Sequence, residues 1–303
     1  MKNVTPEDVD EAVRIALSSD AGDDGEIAFF GGSFTAIDRE YMLRLLKSAA
    51  KYVSDGSFKG IRISTRPDAI DDEICRILKE NHVTSVELGC QSMDDEVLSA
   101  NRRGHTSKEV ENATKILKKY GFEVGHQMMT GLYKSSYEKD VQTAKKLIGL
   151  SPDTVRIYPT LVLENTELCR LYRQGEYKVM GAEETVRLCS ELLLMFYEND
   201  IPVIRMGLHS GGGIDEGYVA GFYHPAFRQL CESEIYLKKI LEHIKKNKTK
   251  KGRIIIKTAR GAVSSAVGQK KSNLILLRER GYTAKVFESD ELDGYDVKVE
   301  EQI

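Results

Sequence analysis

Short apolar runs alternate along the first half of the chain with longer segments in which apolar residues recur every three or four positions. Five of the runs have the length of buried strands: residues 27–30, 60–64, 85–90, 122–128 and 154–158. The intervening segments repeat at helical spacing, as Met42, Leu45, Leu46 and Ala49 do. Strands that alternate with helices of this length need parallel neighbours and right-handed crossovers. The pattern therefore predicts a parallel α/β sheet, either open or curled into a barrel.

Beyond residue 160 the pattern becomes less regular. A long helix is predicted over roughly 182–198 and a further strand over 203–207, before a Gly-Gly-Gly loop begins at Gly211. A second set of elements follows: a helix near 233–246, a strand at 254–256, a helix near 272–280, and strands near 283–287 and 296–299. We therefore predict a barrel-type unit over residues 1–210 and a small C-terminal α/β extension over residues 211–303.

Polar or glycine residues stand at the end of each predicted strand. The clusters are Gly31-Gly32-Ser33, Ser64 to Asp68, Gln91-Ser92, His126-Gln127 with Thr130-Gly131, and Tyr158-Pro159-Thr160. A barrel explains them better than an open sheet, because the ends of all its strands converge on one mouth. The clusters supply backbone amides, hydroxyls, side-chain amides and a guanidinium, which suit a zwitterionic, ribose-bearing ligand.

The composition is that of an ordinary globular protein. The formal net charge of −3 over 303 residues argues against a strongly basic nucleic-acid-binding protein, although a local basic patch is compatible with it. No run of about 18 apolar residues is present, and an acidic helix start at Thr5-Pro6-Glu7-Asp8 stands where a signal peptide would lie. We therefore expect a cytoplasmic protein with no membrane contact.

The five cysteines are scattered: Cys75, Cys90, Cys169, Cys189 and Cys231. An odd, dispersed set without a secretion signal predicts reduced and mostly buried thiols. No Cys-x-x-Cys pair is present, so the sequence predicts no metal ligands in this chain.

Six successive segments resemble the strand-end motifs of radical S-adenosylmethionine enzymes. They are residues 30–35, 63–68, 87–92, 101–106, 126–132 and 156–162. The resemblance covers roughly residues 25–170 and is strongest to the branch that includes the elongator catalytic subunit and the coproporphyrinogen-oxidase-like proteins. It implies a partial (β/α)6 TIM-type barrel that here lacks its first strand, with the C-terminal α/β appendage added.

The resemblance also implies a cofactor site and its residues. S-adenosylmethionine would be held by Gly31, Gly32, Ser33, Ser64, Arg66, Gln91, Arg103 and Gln127. His126 and Tyr158 would lie on the side of the substrate, which is unknown, with tRNA as one candidate. An electron donor would be a further partner of the complete enzyme.

One departure from the family is severe. The family holds a [4Fe–4S] cluster through Cys-x3-Cys-x2-Cys in the loop after the first strand, and this chain contains no such motif. Cys90 stands alone in a predicted buried strand and does not replace it. We therefore expect that the first strand and its cysteines were lost by truncation or a misplaced start, and that the chain as given does not cleave S-adenosylmethionine.

Two other hypotheses stay open from the sequence alone. One is a cluster-free remnant that binds S-adenosylmethionine or RNA without redox chemistry. The other is an unrelated barrel enzyme that binds a phosphorylated metabolite through residues 31–33. Single residues are equally open: His126 is either functional or a core histidine, His224 a substrate contact or a turn residue, and the basic run 245–251 a solvated loop or an RNA contact.

Overall fold

The computed structural model describes residues 4–18, 25–208 and 217–302. The chain divides into two compact units. The first comprises Met1–Tyr158 and Asn199–Ile204, and the second comprises Pro159–Glu198 and Arg205–Ile303. We refer to them as the half-barrel unit and the C-terminal unit.

A six-stranded sheet forms the half-barrel, and its strand order is β1-β2-β3-β4-β5-β7. The strands are β1 (Glu26–Phe29), β2 (Gly60–Thr65), β3 (Val83–Gln91), β4 (Glu123–Thr130), β5 (Thr154–Pro159) and β7 (Val203–Met206). β1 through β4 pair in parallel with their sequence neighbours. The predicted parallel α/β half-barrel is confirmed, and its β1 edge carries no partner strand among the described residues.

Helices follow the strands as the hydrophobic spacing predicts. They are α1 (Pro6–Ser18), α2 (Arg39–Ser54), α3 (Asp72–Glu80), α4 (Asp95–Ala100), α5 (Ser107–Lys119) and α6 (Tyr137–Gly149). The segment Thr106-Ser107-Lys108-Glu109 predicts a capping box, and one is present at α5, where Thr106 and Glu109 each bond the other's backbone N–H. Such a cap satisfies amide groups that a helix leaves unpaired at its start, which fixes where α5 begins.

Alternation along the strands separates two faces of the curled sheet. The helix-facing side is apolar and fully buried, as at Ile61, Ile63, Val86 and Leu88. Helix residues such as Leu46 pack in the same core. Because side chains in a strand point alternately to opposite faces, the residues between these positions face the concave side, which we call the lumen.

The C-terminal unit contains two short strands, several helices and a second sheet. The helices are α7 (Glu167–Arg173), α8 (Ala182–Tyr197), α9 (Phe227–Lys246), α10 (Val263–Val267) and α11 (Ser272–Glu279). The short strands β6 (Val162–Leu163) and β8 (Tyr218–Ala220) pair in antiparallel fashion. Neither was predicted, because runs of two or three residues are too short to show a periodicity.

The second sheet has the order β10-β9-β11. Its central strand β9 (Gly252–Thr258) runs parallel to β10 (Tyr282–Glu288) and antiparallel to β11 (Val297–Glu301). One face of the sheet packs against α9, α10 and α11 through a buried apolar cluster. The cluster comprises Tyr236, Ile240, Ile244, Ile254, Ile256, Ala266, Leu277 and Val299. The C-terminal α/β appendage is therefore present, although α9 begins at Phe227 rather than near residue 233.

Among the described helices, none has the length and apolar character that a transmembrane span needs.

Candidate functional site

The loop after β1 is held open by two glycines with positive φ angles. Gly31 has φ +140° and Gly32 has φ +75°, and a β-carbon at either position would meet nothing within 4 Å. Other residues adopt such angles only with strain, so the glycines permit this turn, and the space beside their α-carbons is open. Thr35 anchors the loop to the end of β2, since its hydroxyl lies 2.6 Å from that of Thr65 and its amide donates to the same oxygen at 3.1 Å.

A buried carboxylate stands at the centre of the lumen. Glu87 on β3 is only 1% exposed and accepts a hydrogen bond from Arg156 Nη2 at 2.6 Å. It also accepts from Gln127 Nε2 at 2.7 Å and, more weakly, from the Ser64 hydroxyl at 3.4 Å. Arg62 Nη1 lies 3.7 Å from the same carboxylate. Three other strands, β2, β4 and β5, therefore present polar side chains to the one charge on β3, and that charge fixes their orientation.

A second polar layer lies nearer the strand starts. Arg62 forms ion pairs with Glu26 at 2.7 Å and with Glu123 at 3.0 Å. The hydroxyls of Thr84 and Ser85 donate to Glu26 at 2.9 and 2.8 Å. Burial by itself would raise the pKa of Glu26. Hydrogen bonds from Ser85, Thr84 and Arg62 outweigh it, so the pKa of Glu26 lies below its usual range. The charged side chains of this second layer are therefore paired with one another.

The mouth of the half-barrel carries two arginines that differ in their pairing. Arg66, after β2, forms a bidentate pair with Asp68 at 2.9 and 2.5 Å. Arg103, in the loop after α4, has a buried Nε with no hydrogen-bond partner among the described residues. Burial and the nearby positive charge of Arg66 both lower the pKa of Arg103. A desolvated guanidinium beside a second cation is a site that an anionic ligand group would stabilise.

The loop that carries Arg103 is fixed to the end of β3. His105 is 6% exposed, and its Nε2 lies 3.1 Å from the carbonyl oxygen of Cys90. Gln91 lies two residues after Gly89, is 7% exposed and adopts a left-handed conformation with φ +63°. A β-carbon at Gly89 would lie 2.9 Å from the Gln91 side-chain nitrogen, so glycine there leaves room for the Gln91 amide. The contact between His105 and Cys90 therefore holds the Arg103 loop against the end of β3.

Neighbouring residues on β4 face opposite ways. Gln127 reaches into the lumen, whereas His126 is fully buried on the helix side and its Nε2 lies 2.9 Å from the hydroxyl of Thr114 on α5. Burial lowers the pKa of His126 to about 3, so it stays neutral at ordinary pH. The structure therefore does not bring His126 together with the lumen residues. Tyr158, two residues after Arg156 on β5, lies on the lumen face and is half-buried.

Of the predicted site residues, Ser64 and Gln127 meet through Glu87, and Gly31, Gly32, Ser33 and Arg66 lie at the ends of the two strands next to the β1 edge. Sequence reasoning did not single out the charged centre that orients them, namely Arg62, Glu87 and Arg156. Each is the only charged residue of its strand. That recurrence was the available signal, because a charge in a buried strand needs a partner on the same face.

No thiol in the chain is placed to bind a metal. All five cysteines are free and buried, and burial raises the pKa of Cys75 to about 11 and also raises that of Cys90. No group of three or more His, Cys, Asp or Glu side chains among the described residues could hold a metal ion. The thiolate form that ligates iron is disfavoured at these positions.

Known families match most of the chain. The Radical SAM superfamily profile matches residues 1–147, and the Radical_SAM C-terminal domain profile matches residues 152–238. The chain belongs to the radical S-adenosylmethionine superfamily. The superfamily implies S-adenosylmethionine and a [4Fe–4S] cluster as cofactors.

Similar proteins place the chain in the Elp3-like branch. It is 33% identical over 186 residues to a tRNA uridine(34) acetyltransferase of Methanocaldococcus infernus, which is 54% of this chain and 35% of that protein. Elongator complex protein 3 of Homo sapiens is 30% identical over 190 residues, covering 56% and 35% of the two chains. The chain thus spans about a third of the length of these curated relatives.

A solved structure supports the same fold. The archaeal Methanocaldococcus infernus Elp3 with an N-terminus deletion (1–46) superimposes with a TM-score of 0.64 at 25% identity. The superposition covers 82% of this chain and 62% of that one. The half-barrel and its order of strands are therefore those of the radical S-adenosylmethionine fold.

The two family cofactors differ in how well this chain fits them. The mouth offers open glycine peptide groups and an unpaired guanidinium, which suit the charged methionyl end of S-adenosylmethionine. The cluster does not fit, since no set of thiols converges anywhere among the described residues. We assign no redox step to this chain.

Proposed function

We propose that the mouth of the half-barrel binds S-adenosylmethionine and that this chain is the cofactor-binding part of a radical S-adenosylmethionine enzyme. The observation that supports it best is Arg103, a partly buried guanidinium that has a buried Nε without a partner and forms no ion pair among the described residues. Leaving a buried charged donor unsatisfied costs about 1–3 kcal/mol or more. A ligand carboxylate that pairs with it recovers this cost.

The neighbouring residues suit the remaining groups of the ligand. The space beside Gly31 and Gly32 is open, and their carbonyl groups would accept hydrogen bonds from the methionyl ammonium group. The side-chain N–H of Gln127 donates to Glu87, so the side-chain oxygen of Gln127 would accept from a ribose hydroxyl. Glu87 acts through Gln127 and Ser64 as a positioning residue, and Gln91 and Ser33 complete the polar rim.

We assign an RNA substrate, with tRNA as the leading candidate. Relatives in this branch are named tRNA uridine(34) acetyltransferases, and this chain shares about half of its length with them. Tyr158 lies on the lumen face, where a substrate next to the cofactor would be reached. The reductive cleavage of S-adenosylmethionine, and the electron donor it needs, would depend on a cluster that the described residues do not hold.

Calorimetry with S-adenosylmethionine and two glycine variants tests the cofactor site. Gly32→Ala places a methyl group in the open loop at φ +75°, and we expect it to weaken binding at least tenfold. Gly56→Ala is the matched control, since Gly56 has φ +84°, is equally open, and lies in the turn after α2. Both variants carry the same kind of backbone strain. Equal affinity for the two variants, or no binding by the folded wild-type chain, would contradict the proposal.

Because all five thiols are buried, we also propose that the chain binds S-adenosylmethionine without an iron–sulfur cluster. Anaerobic reconstitution with iron and sulfide should leave the chain without the visible absorption of a [4Fe–4S] cluster, while calorimetric binding of S-adenosylmethionine persists. Stoichiometric iron and sulfide on the purified chain would overturn this statement. It would leave the Arg103 site untouched, because that site is measured separately by calorimetry.

A further inference from the structure

The second sheet leaves one of its two faces uncovered. Its other face packs on α9, α10 and α11 through residues such as Ile254 and Ile256. The register places the alternate residues of the three strands together on the open side. They are Arg253, Ile255, Lys257, Thr283, Lys285, Phe287, Lys298 and Glu300, and we call this surface the open sheet face.

Positive charge is concentrated on this face. Four of its side chains are basic and one is acidic, although the whole chain carries a formal charge of −3. Glu300 pairs with Lys257 at 3.1 Å and with Lys298 at 3.0 Å. Lys285 and Arg253 are exposed and form no ion pair among the described residues. The excess of positive charge is therefore available to a polyanion.

The basic run of the sequence leads directly into this face. Residues 245–251 contain five lysines, and the chain then enters β9 at Gly252. The aliphatic stem of Lys251 lies against Gly281, which immediately precedes β10. Lysines of the run and Arg253 thus lie at the same end of the sheet. The basic run, which begins in the last turn of α9, therefore meets the basic strand residues at the start of β9.

An aromatic ring stands within the charged surface. Phe287 is 50% exposed and lies beside Lys257 in the register, in the same cross-strand row as Lys298. An isolated exposed phenylalanine needs no explanation by itself. On an open sheet flanked by lysines, however, it has the arrangement that lets a base stack on the ring while phosphates pair with the cations.

We propose that the open sheet face binds a single-stranded segment of RNA. Phe287 would stack on a base, and Lys285, Arg253 and the lysines of residues 245–251 would contact phosphates. The surface lies outside the two matched family ranges, which end at residue 238. It deepens the proposed function by naming where an RNA substrate is held, and the choice of RNA over DNA rests on that function. Binding at this face does not require S-adenosylmethionine.

Fluorescence anisotropy with a labelled oligouridylate of about ten nucleotides tests the stacking contact. We expect Phe287→Leu to weaken binding about tenfold, because leucine keeps an apolar side chain but removes the stacking surface. Phe287→Tyr should restore affinity to within about twofold of the wild type. Equal affinities for all three proteins would overturn the proposal, since the ring would then contribute nothing beyond its bulk.

The salt dependence tests the charges separately. Lys285→Gln should reduce the slope of log affinity against log salt by about 0.7, the value for one phosphate contact with a single strand. Lys238→Gln is the matched control, because Lys238 is an exposed lysine on α9, which packs on the covered face. Identical slopes for both variants would overturn the assignment.

Two further outcomes would assign the face to another partner. If Phe287→Leu converts a dimer to a monomer in sedimentation, the face belongs to a second copy of this chain. If vesicles rich in anionic lipid bind with the same dependence on Phe287 and the oligonucleotide does not, it belongs to a membrane surface. Calorimetry with S-adenosylmethionine on the same variants separates this proposal from the cofactor site, which they should leave unchanged.

Discussion

The half-barrel sheet and the second sheet both carry arginine or lysine on a polar face, but these charges are paired on one face and unpaired in part on the other. In the lumen, Arg62 and Arg156 are 15% and 12% exposed and converge on Glu87. On the open sheet face, Lys285 and Arg253 are exposed and stand without an acidic partner among the described residues. A charge that is buried must be paired with protein groups, whereas a charge on an open face remains available to a ligand.

Arg103 lies between these two cases and is therefore informative. It is partly buried like the lumen arginines and, like them, has one buried nitrogen without a partner. Unlike Arg62 and Arg156, however, it forms no ion pair among the described residues, as if the pairing group came from outside the protein. A structural arginine would be expected to form an ion pair, as Arg156 does with Glu87. The comparison suggests that pairing, rather than burial or residue type, separates the residues that hold the fold from those that hold ligands.

The largest effect is expected from removing the charge at the centre of the lumen. Glu87→Gln leaves Arg156 without its carboxylate partner in a buried site, whereas Arg62 keeps its ion pairs with Glu26 and Glu123. We expect the half-barrel to lose about 3–5 kcal/mol of stability. Hydrogen–deuterium exchange of the half-barrel strands in rising urea measures this for the unit alone. Glu300→Gln is the matched control, because Glu300 also pairs with two cations but is 35% exposed, and it should cost less than about 1 kcal/mol. Similar losses in the two variants would remove the distinction between the sheets.

The second prediction uses pH to separate the buried from the open regions. The pKa of His126 is lowered from 6.5 to about 3, so the unfolded chain takes up a proton there that the folded chain excludes. The stability contributed by neutral His126 is therefore complete above about pH 6.5 and is lost as pH falls towards about 3. Between about pH 6.5 and about pH 5 the wild type should lose about 1.5 kcal/mol more than His126→Gln.

Asp140 opposes this trend and must be separated from it. Burial raises the pKa of Asp140 to about 6, so the folded chain binds a proton there more tightly than the unfolded chain does. This group therefore adds stability as pH falls from about 6 towards 3.8, the ordinary pKa of aspartate. The difference between wild type and His126→Gln cancels the Asp140 contribution, which both proteins share. Parallel pH profiles in exchange experiments would show that His126 is not neutral in the folded state.

A smaller effect of opposite sign is expected at Arg103. Arg103→Gln removes an unpaired, desolvated charge, so the half-barrel should gain up to about 1 kcal/mol of stability in the absence of ligand. The same variant should bind S-adenosylmethionine about tenfold more weakly, which is the value of one charged hydrogen bond. Such a gain in stability with a loss in binding is typical of a functional residue. Arg156→Gln should instead lose stability, and a loss in both variants would mean that Arg103 is structural.

The smallest effect is expected from the acid of the open sheet face. Glu300→Gln releases Lys257 and Lys298 from their ion pairs, so the affinity for oligouridylate should rise about two- to fourfold. Stability should change by less than about 1 kcal/mol, because exposed ion pairs contribute little. Anisotropy at two salt concentrations measures the affinity. A fall in affinity would mean that Glu300 orders the lysines for binding rather than competing with the phosphates.

Much of the fold could be predicted from the order of residues. Five strand runs, the helix periodicity and the Thr106–Glu109 capping box are local signals, and each was confirmed. The polar strand ends were also visible in the sequence. The two-residue strand β6 and the start of α9 at Phe227 were not, because they depend on contacts between segments far apart in the chain.

The candidate site shows the same limit. His126 and Gln127 are adjacent and both polar, and the sequence could not tell which one faces the lumen. A shift of one residue in strand register exchanges the two faces, so only the pairing of β3 with β4 decides it. Glu87 belongs to the segment 87–92 that resembles a family motif. Its role as the common partner of Arg156, Gln127 and Ser64 depends on three other strands of the folded sheet.

The sequence by itself determined the α/β alternation, the glycine loop at residues 31–32 and the absence of a cysteine motif for a cluster, since each is a property of neighbouring residues. The tertiary structure decided which charges are satisfied and which are free. Lys257, Lys285 and Lys298 are spread over some forty residues, yet one sheet places them on a single face. Whether a charge is paired or available depends on the groups that folding places around it, and residue order alone does not specify them.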